Sequence, residues 1–437
     1  MNAYVQESRK LIDFIKKSPS CFHAVAAIAE ELNAAGFTAL KENQCWELQA
    51  GGKYYVTRNG SSVIAFQLPQ GVPGGFQLIC SHTDSPTFKV KVCPEMEVEK
   101  KYKKLNVEMY GGTICSPWFD RPLSVAGRVI VKTEDGIRPV LVNVERDLLM
   151  IPNIAIHMGR DINDGYKYNI QKDMCPVFSE ADSEAAFLDV VAEAAGLDAE
   201  QILGTDLFLY NRQNGTIWGA DEAFVASPRL DDLQCAYASL QGFLEAVPGG
   251  NAAVYCAFDN EETGSVSRQG AASTFLRETL RRITLALGMT EEAHMSLLAG
   301  SFMISSDNAH AVHPNHTDKA DPVNRPQMNK GIVIKYNANQ KYTTDAISTA
   351  VFRTICEKAE VPCQVFTNRS DMAGGSTLGN ISNTQVSLRS VDIGLPQLAM
   401  HSPYETAGVK DTLYFKKASK EFYSTTLKLD EELMQVF

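Results

Sequence analysis

The spacing of hydrophobic positions changes along the chain, and each change predicts a different kind of element. Residues 9–36 carry apolar side chains at helical spacing, and Ser18-Pro19-Ser20 divides them into two helices. Three short strand-like runs follow, at 53–57, 62–68 and 76–80. Later, helical and apolar strand-like segments alternate: helix 231–246, strand 252–258, helix 268–285, strand 302–306, helix 343–359 and strand 363–367. This alternation predicts an α/β domain whose central sheet is covered on both faces.

The pattern of apolar and polar residues is different between about 90 and 226. Segments such as 105–109 and 127–132 alternate apolar with polar residues, and proline and glycine turns separate them. That pattern predicts an antiparallel β unit. Segments with candidate catalytic and metal-binding residues lie both before and after this region. We therefore interpret 91–226 as a domain inserted into a larger one formed by 1–90 and 227–437.

Composition narrows the classes of function. The 437 residues, 44% hydrophobic and 21% charged, suit an ordinary globular protein with a large core. The net charge of −11, without a block of basic residues, argues against a nucleic-acid partner. No run approaches the ~18 apolar residues of a membrane span. The N-terminus lacks a secretory pattern, and the ten cysteines lack CxxC spacing, so we expect reduced thiols and a cytoplasmic location.

Two adjacent carboxylates, Glu261 and Glu262, follow the apolar run 252–258. Taken alone, the pair reads as a solvated acidic turn. Adjacent side chains of a regular strand point to opposite faces, so both glutamates can serve one site only where the strand gives way to a loop. Thr263-Gly264-Ser265 supplies that break. A two-metal hydrolase needs such a pair, since one carboxylate must bind metal while another moves a proton.

Comparable residues follow other apolar runs. His82 and Asp84 come after 76–80, and a carboxylate two residues from a histidine can orient its ring, although a lone histidine there is more often structural. Asp231, with Asp232, begins a predicted helix and could either cap it or bridge two cations.

Two further segments complete the candidate set. Asp307 follows strand 302–306, and His401 follows the segment Pro396-Gln397-Leu398-Ala399. We interpret His310, His313 and His316 as structural or substrate-lining rather than as ligands. Mixed nitrogen and oxygen ligation suits Zn²⁺, with Mn²⁺ or Co²⁺ as alternatives. Ligands of open α/β sheets bind outside the carboxyl ends of strands, where these residues are expected.

An ordered set of motifs spanning nearly the whole chain resembles the aspartyl aminopeptidase family of metallopeptidases. The motifs are SHTDSP (81–86), WFDRPLSVAGRV (118–129), SPRLDDL (227–233), DNEETGS (259–265), SSDNAHAVHPNH (305–316), NKGIVIKYN (329–337) and QLAMHS (397–402). The resemblance implies a zinc-peptidase-like central mixed sheet flanked by helices, with an inserted β-rich dimerisation domain. It also implies a homo-oligomer, a tetrahedral dodecamer built from dimers.

The same resemblance implies roles for individual residues. His82 and Asp307 would bind one metal ion, Glu262 and His401 the other, and Asp231 would bridge them. Glu261 would be the general base and Asp84 would orient His82. His157 would reach the active site of a neighbouring subunit, whereas the sequence alone makes it structural. Lys335 would lie near the substrate pocket; the alternative is an exposed strand lysine.

The implied activity is removal of the N-terminal residue from peptides with a free N-terminus, through a water activated between two divalent metal ions. An acidic N-terminal residue, Asp or Glu, is the expected preference. The segment 371–377 departs from the pattern of aspartyl enzymes, which keeps an apolar preference open. A related dimetal peptidase and a non-catalytic, metal-stabilised cage protein are the remaining alternatives.

Overall fold

The computed structural model describes residues 2–430 and 432–437. The helices are α1 (Ala3–Lys17), α2 (Cys21–Ala34), α3 (Ile170–Asp173), α4 (Phe187–Ala195), α5 (Leu230–Glu245), α6 (Phe275–Ala286), α7 (Glu291–Ala299), α8 (Ala346–Lys358), α9 (Leu378–Ser382) and α10 (Asp411–Ser424). The first eleven strands are β1 (Thr38–Leu40), β2 (Lys53–Arg58), β3 (Ser62–Gln67), β4 (Phe76–His82), β5 (Thr87–Val98), β6 (Tyr102–Tyr110), β7 (Leu123–Thr133), β8 (Gly136–Asn143), β9 (Val177–Glu180), β10 (Ile202–Asn211) and β11 (Thr216–Trp218). The others are β12 (Phe224–Ser227), β13 (Ala252–Phe258), β14 (Phe302–Ser306), β15 (Ala309–His310), β16 (Ile332–Tyr336), β17 (Cys363–Thr367), β18 (Arg389–Gly394), β19 (Pro396–Leu398), β20 (Glu405–Gly408), β21 (Leu427–Leu429) and β22 (Met434–Val436).

Contacts within the chain define two compact units. The first contains the residues up to Asp84, Gly215–Met400 and Glu405–Phe437, and the second contains Ser85–Asn214 and His401–Tyr404. The sequence-based boundaries were 90/91 and 226/227. The observed boundaries differ because β5 starts at Thr87 and pairs within the second unit, while β11 and β12 pair with β20 of the first.

The first unit is built on a mixed nine-stranded sheet with the order β1-β2-β3-β13-β4-β14-β18-β16-β17. Its central strands β13, β4, β14 and β18 are parallel neighbours, and every residue of β4, β13 and β14 is buried. Alternate residues enter two separate apolar clusters, as Tyr255 and Val254 illustrate. The sheet therefore has a core on both faces, and the predicted α/β architecture is confirmed.

A smaller five-stranded sheet of the first unit has the order β11-β12-β20-β19-β15. It pairs Ser227 with Glu405, and so brings the segment before α5 beside β20. This sheet was not anticipated from the sequence, because its strands are two to four residues long.

The second unit is a six-stranded antiparallel sheet with the order β8-β7-β10-β5-β6-β9. Its core contains Phe88, Trp118 and Leu207, all nearly or fully buried. The antiparallel β unit predicted from the sequence for this region matches this sheet. In the part of the chain that the structure describes, no helix is long and apolar enough to cross a bilayer.

Candidate metal centre

Three adjacent parallel strands deliver the candidate residues to one edge of the large sheet. Phe258, the last residue of β13, is in register with His82, the last residue of β4, and β14 runs beside β4 toward Ser306. The residues that follow these strand ends lie at the carboxyl edge, where open α/β sheets bind ligands.

The glutamate pair lies on a short 3₁₀ turn, Glu261–Thr263, directly after β13. Asn260 and Gly264 on either side both have positive φ, +63° and +95°. The strand therefore ends before the pair, as the sequence requires for both side chains to serve one site. The carboxylate of Asp84 accepts both backbone amides: Oδ1 lies 3.1 Å from the nitrogen of Glu261 and Oδ2 lies 3.2 Å from that of Glu262.

His82 is buried and has a carboxylate near each of its two ring nitrogens. Its Nδ1 lies 3.0 Å from the carbonyl oxygen of Asp84 and 3.5 Å from Oδ1 of the same residue. Nδ1 therefore carries the proton in the neutral ring, and Nε2, 3.4 Å from Oδ1 of Asp231, is the nitrogen available as a metal ligand. Burial opposes a charge on this ring, but Asp231 and Asp84 outweigh burial and raise the pKa of His82.

The two aspartates Asp231 and Asp232 stand at the start of α5 and are joined by a cis peptide bond. The backbone nitrogen of Asp231 donates to Oε2 of Glu405 at 3.0 Å. Oδ2 of Asp232 accepts the backbone amide of His82 at 3.1 Å. Both aspartate side chains are buried, so neither acts merely as an exposed helix cap.

The donor atoms of the first unit fall into two overlapping groups that could each hold a cation. One is formed by His82, Asp231, Asp232 and Asp307, and the other by His82, Glu261 and Glu262. In each group the donor atoms lie within 4.8 Å of one another. Oδ1 of Asp232 is buried and accepts no hydrogen bond from any described residue. This set of carboxylates and one imidazole fits a divalent ion such as Zn²⁺.

The concentration of negative charge appears in the pKa values. Burial raises the pKa of Glu261 to about 8 and that of Asp307 to about 6, and it holds the pKa of Glu262 well above its usual range. Neighbouring carboxylates add to each shift. A bound cation would offset this repulsion, so the electrostatics favour a metal site.

Lys335, on β16, is 3% exposed. Its Nζ lies 3.7 Å from Oδ2 of Asp307 and 5.5 Å from the ring centroid of Tyr342. Burial opposes the charge, but Asp307 outweighs burial and raises the pKa of the lysine. The alternative of an exposed strand lysine is wrong, and a buried cation stands beside the expected ligand Asp307.

Two candidates belong to the second unit. His157 is exposed in a loop near Ile154, Ile156 and Met158, which are also exposed. His401 begins the short piece 401–404, and its Nδ1 lies 2.9 Å from the carbonyl oxygen of Gly112. This contact fixes the ring tautomer of His401 with the proton on Nδ1.

The three histidines after Asp307 do not join the donor groups found among the described residues. His310, His313 and His316 instead line a cavity of about 290 Å³, together with Arg369 and Met372. This placement agrees with a substrate-lining role rather than with metal ligation.

Asp232 and Glu405 are the site residues that sequence reasoning missed. The pair Asp231-Asp232 was visible, but nothing in a sequence tells which of two adjacent aspartates faces a site. Glu405 gave no signal, because only the pairing of β12 with β20 brings it to the amide of Asp231.

Comparison with known proteins decides the family. The profile described as aminopeptidase I zinc metalloprotease (M18) matches residues 14–423. The chain belongs to the M18 aminopeptidase family. It is 46% identical over 432 residues to a probable M18 family aminopeptidase 2 of Clostridium novyi, covering 97% of this chain and 100% of that one. A protein of the same description from Stutzerimonas stutzeri is 42% identical, over 95% of this chain and 97% of its own.

Solved structures of the M18 family share the fold. The chain matches Ape4, from a complex of Ape4 with Nbr1, with a TM-score of 0.92 and 35% identity over 96% of this chain and 86% of that one. It matches the mApe1 dodecamer of S. cerevisiae with a TM-score of 0.84 and 27% identity, over 97% and 99% of the two chains. The resemblance read from the sequence motifs is therefore confirmed at the level of family and fold.

Proposed function

We propose that this M18 protein is a two-metal aminopeptidase that removes the N-terminal residue from peptides with a free N-terminus. The observation that carries the proposal is the pair of adjacent glutamates, Glu261 and Glu262, on the turn after β13. Glu262 and Glu261 share a donor group with His82, yet a metal centre that only stabilised the fold would not need the second carboxylate.

The donor chemistry supports the following assignment of ligands. His82 and Asp307 would hold one ion, Glu262 and His401 the other, and Asp231 would bridge the two. Zn²⁺ is the expected metal, with Mn²⁺ or Co²⁺ as alternatives. When bound, two such ions lower the pKa of a shared water and polarise the scissile carbonyl.

Glu261 is proposed to take the proton of the attacking water and to deliver it to the leaving amine. The amide of Glu261 is tied to Asp84, so the position of the carboxyl relative to Glu262 is fixed by the turn. Burial raises the pKa of Glu261 to about 8 in the metal-free chain. Bound cations would lower this pKa and leave the carboxyl ionised, as a general base requires. Asp84 also contacts Nδ1 of His82 and would orient that ligand.

Assembly into a homo-oligomer is proposed as part of the active state, as a tetrahedral dodecamer built from dimers through residues 91–226. The structural likeness to the S. cerevisiae mApe1 dodecamer supports it. So does the exposure of Ile154, Ile156 and Met158 around His157, because an apolar loop of this kind is typical of an interface. His157 would then donate to the developing oxyanion in a neighbouring subunit.

The N-terminal residue preferred is proposed to be Asp or Glu, and the buried ammonium of Lys335 supports this preference. An apolar preference is the second candidate, because Met372 and Phe366 line the cavity beside the histidines. Hydrolysis of Asp-, Glu- and Leu-anilides by the metal-loaded protein separates the two. Equal or faster turnover of the Leu-anilide would reject the acidic preference.

The same assay tests the class of function. An aminopeptidase loses cleavage when the N-terminus of the peptide is blocked, whereas a carboxypeptidase does not. Removal of metal by a chelator should abolish activity while the oligomer remains intact. A protein that cleaves none of the anilides when fully loaded with metal would instead be a metal-stabilised cage. A cytoplasmic location is part of the proposal, because free, buried cysteines such as Cys80, Cys235 and Cys256 are typical of a reducing compartment.

A further inference from the structure

A buried aspartate outside the metal centre connects two segments that border the substrate region. Asp392 lies on β18, between β14 and β16, and is 0% exposed. Its Oδ2 accepts the backbone amide and the hydroxyl of Thr343, at 2.5 and 2.7 Å. Its Oδ1 accepts the hydroxyl of Thr377. Three donors from two separate loops therefore converge on one carboxylate.

The first of these loops carries the partner of Lys335. Tyr342 directly precedes Thr343, is 5% exposed, and packs with Ala309, Val333 and Phe366 in a small apolar cluster. Its ring centroid lies 5.5 Å from Nζ of Lys335. A displacement of the backbone at 343 would therefore move the ring that supports the lysine ammonium.

The second loop forms part of the cavity wall. Residues 372–375 line the cavity, and Thr377 ends this stretch immediately before α9. The start of α9 is close-packed against the same carboxylate, since a Cβ on Gly379 would lie 2.9 Å from Oδ1 of Asp392 and 2.7 Å from Oγ of Ser305. The C-terminal end of this cavity-lining segment is thus fixed by two contacts with Asp392. One is the hydrogen bond from Thr377, and the other is the close packing of Gly379, where a side chain would not fit.

The path of Lys335 also depends on this strand. A Cβ on Gly394, two residues after Asp392, would lie 2.9 Å from Cε of Lys335 and 2.0 Å from the carbonyl oxygen of Asp307. Glycine at 394 leaves the space through which the lysine reaches Asp307.

We propose that Asp392 is a positioning residue for substrate recognition, which fixes Tyr342 beneath Lys335 through Thr343 and fixes the cavity wall through Thr377. The inference rests on the proposed aminopeptidase function for its kinetic consequence, but not for its structural one. The carboxylate of Asp392 accepts hydrogen bonds from Thr343 and Thr377, neither of which is a proposed metal ligand. A variant that lacks this carboxylate should therefore still bind metal.

The test compares Asp392→Ala with Asp392→Asn in the full-length, metal-loaded protein. Alanine removes all three accepted hydrogen bonds. Asparagine preserves the shape, and the Thr377 hydroxyl can turn to accept from its amide group. For Asp392→Ala we expect wild-type metal content, KM for the preferred anilide raised about tenfold and kcat within about threefold, the pattern of lost ground-state binding. For Asp392→Asn we expect KM within about threefold of wild type.

Hydrogen exchange gives a readout that does not depend on activity. Asp392→Ala should raise exchange in 342–345 and 372–378, and Asp392→Asn should not. The matched control is Asp411→Ala, which also removes a fully buried carboxylate, one that accepts the amides of Asn329 and Gly331. That control should destabilise the protein and raise exchange near 329–331, while KM stays at the wild-type value.

Several outcomes would overturn the inference. One is unchanged hydrogen exchange in both segments of Asp392→Ala, and another is a kinetic profile that does not differ from that of Asp411→Ala. A third is an equal rise of KM in the Ala and Asn variants with wild-type exchange, which would show that the charge of Asp392, and not its hydrogen bonds, sets KM. If Asp392→Ala fails to fold, Thr377→Val removes one hydrogen bond and should raise exchange in 372–378 alone. If the wild type cleaves no anilide, the aminopeptidase proposal fails, while exchange still decides whether Asp392 holds the two segments.

Discussion

Replacing Asp84 by asparagine tests the support beneath the metal centre. The carboxylate accepts the backbone amides of Glu261 and Glu262 on separate oxygens, at 3.1 and 3.2 Å. Asparagine offers one acceptor oxygen, so its amide group must face the other N–H. An unpaired amide costs roughly 1–3 kcal/mol when fully buried. Both bonds are only partly buried, and we therefore expect a loss of about 1 kcal/mol of unfolding free energy.

The larger effect of Asp84→Asn should fall on metal affinity. Loss of a residue that orients a ligand typically weakens metal binding by about 10–100-fold. The carbonyl oxygen of Asp84, 3.0 Å from Nδ1 of His82, is unchanged by the substitution and continues to hold that ring. The weakening should therefore lie near the lower end, about tenfold or ~1.4 kcal/mol, and arise from the displaced glutamate turn.

The assay for Asp84→Asn is a zinc titration of the metal-free protein in competition with a chromophoric chelator. Asp345→Asn is the matched control, because Asp345 caps α8 and asparagine caps a helix equally well. The control should bind zinc as the wild type does. A zinc affinity of Asp84→Asn within about twofold of wild type would refute the idea that this carboxylate supports the centre.

Three further predictions follow from the site and the fold. Glu261→Gln should keep its metals but lose about 10²–10⁴-fold in kcat, and activity within about tenfold of wild type would remove the general-base assignment. Asp231→Ala should leave the centre without stoichiometric metal by elemental analysis, and two ions still bound would contradict the bridging role. Burial, helped by Arg229, lowers the pKa of His23 to about 4, so His23 favours the folded state above pH 6.5 and this contribution is lost as pH falls toward 4. Denaturant titrations should therefore show the wild type losing about 3 kcal/mol more than His23→Gln over that window, and parallel pH profiles would refute the assignment.

The regular parts of the first unit could be predicted from the sequence because their side-chain period is unambiguous. The predicted strands 252–258, 302–306 and 363–367 coincide with β13, β14 and β17. The helix predicted to begin at 268 instead begins at Phe275 as α6. Residues before it form a tight loop, in which a Cβ on Gly270 would lie 2.2 Å from the carbonyl oxygen of Ser265. A close approach between two backbone segments leaves no periodic pattern of apolar residues in the sequence, so the later start of α6 could not be predicted.

Site residues were recognisable where chemistry and strand ends coincided, and hidden where a single polar residue depended on tertiary pairing. His82, Asp84 and the glutamate pair stood out because each follows an apolar run. Asp392, by contrast, is one acidic residue within a strand, and the donors that converge on it lie 49 and 15 residues away in sequence. Lys335 could not be distinguished from an exposed lysine, because its burial depends on Gly394 and Asp307.

The position of β13 in the large sheet has a consequence for biosynthesis. β3 and β4 follow one another in sequence, yet β13 lies between them in space. A ribosome makes β4 early and must add Ser85–Asn214, the larger part of the second unit, before β13 emerges to join the two halves. Until then both strands present unpaired edges, which are prone to association with other chains. Asp307 is synthesised later still, so the nascent chain cannot assemble the proposed centre, and capture of metal should be among the last events of maturation.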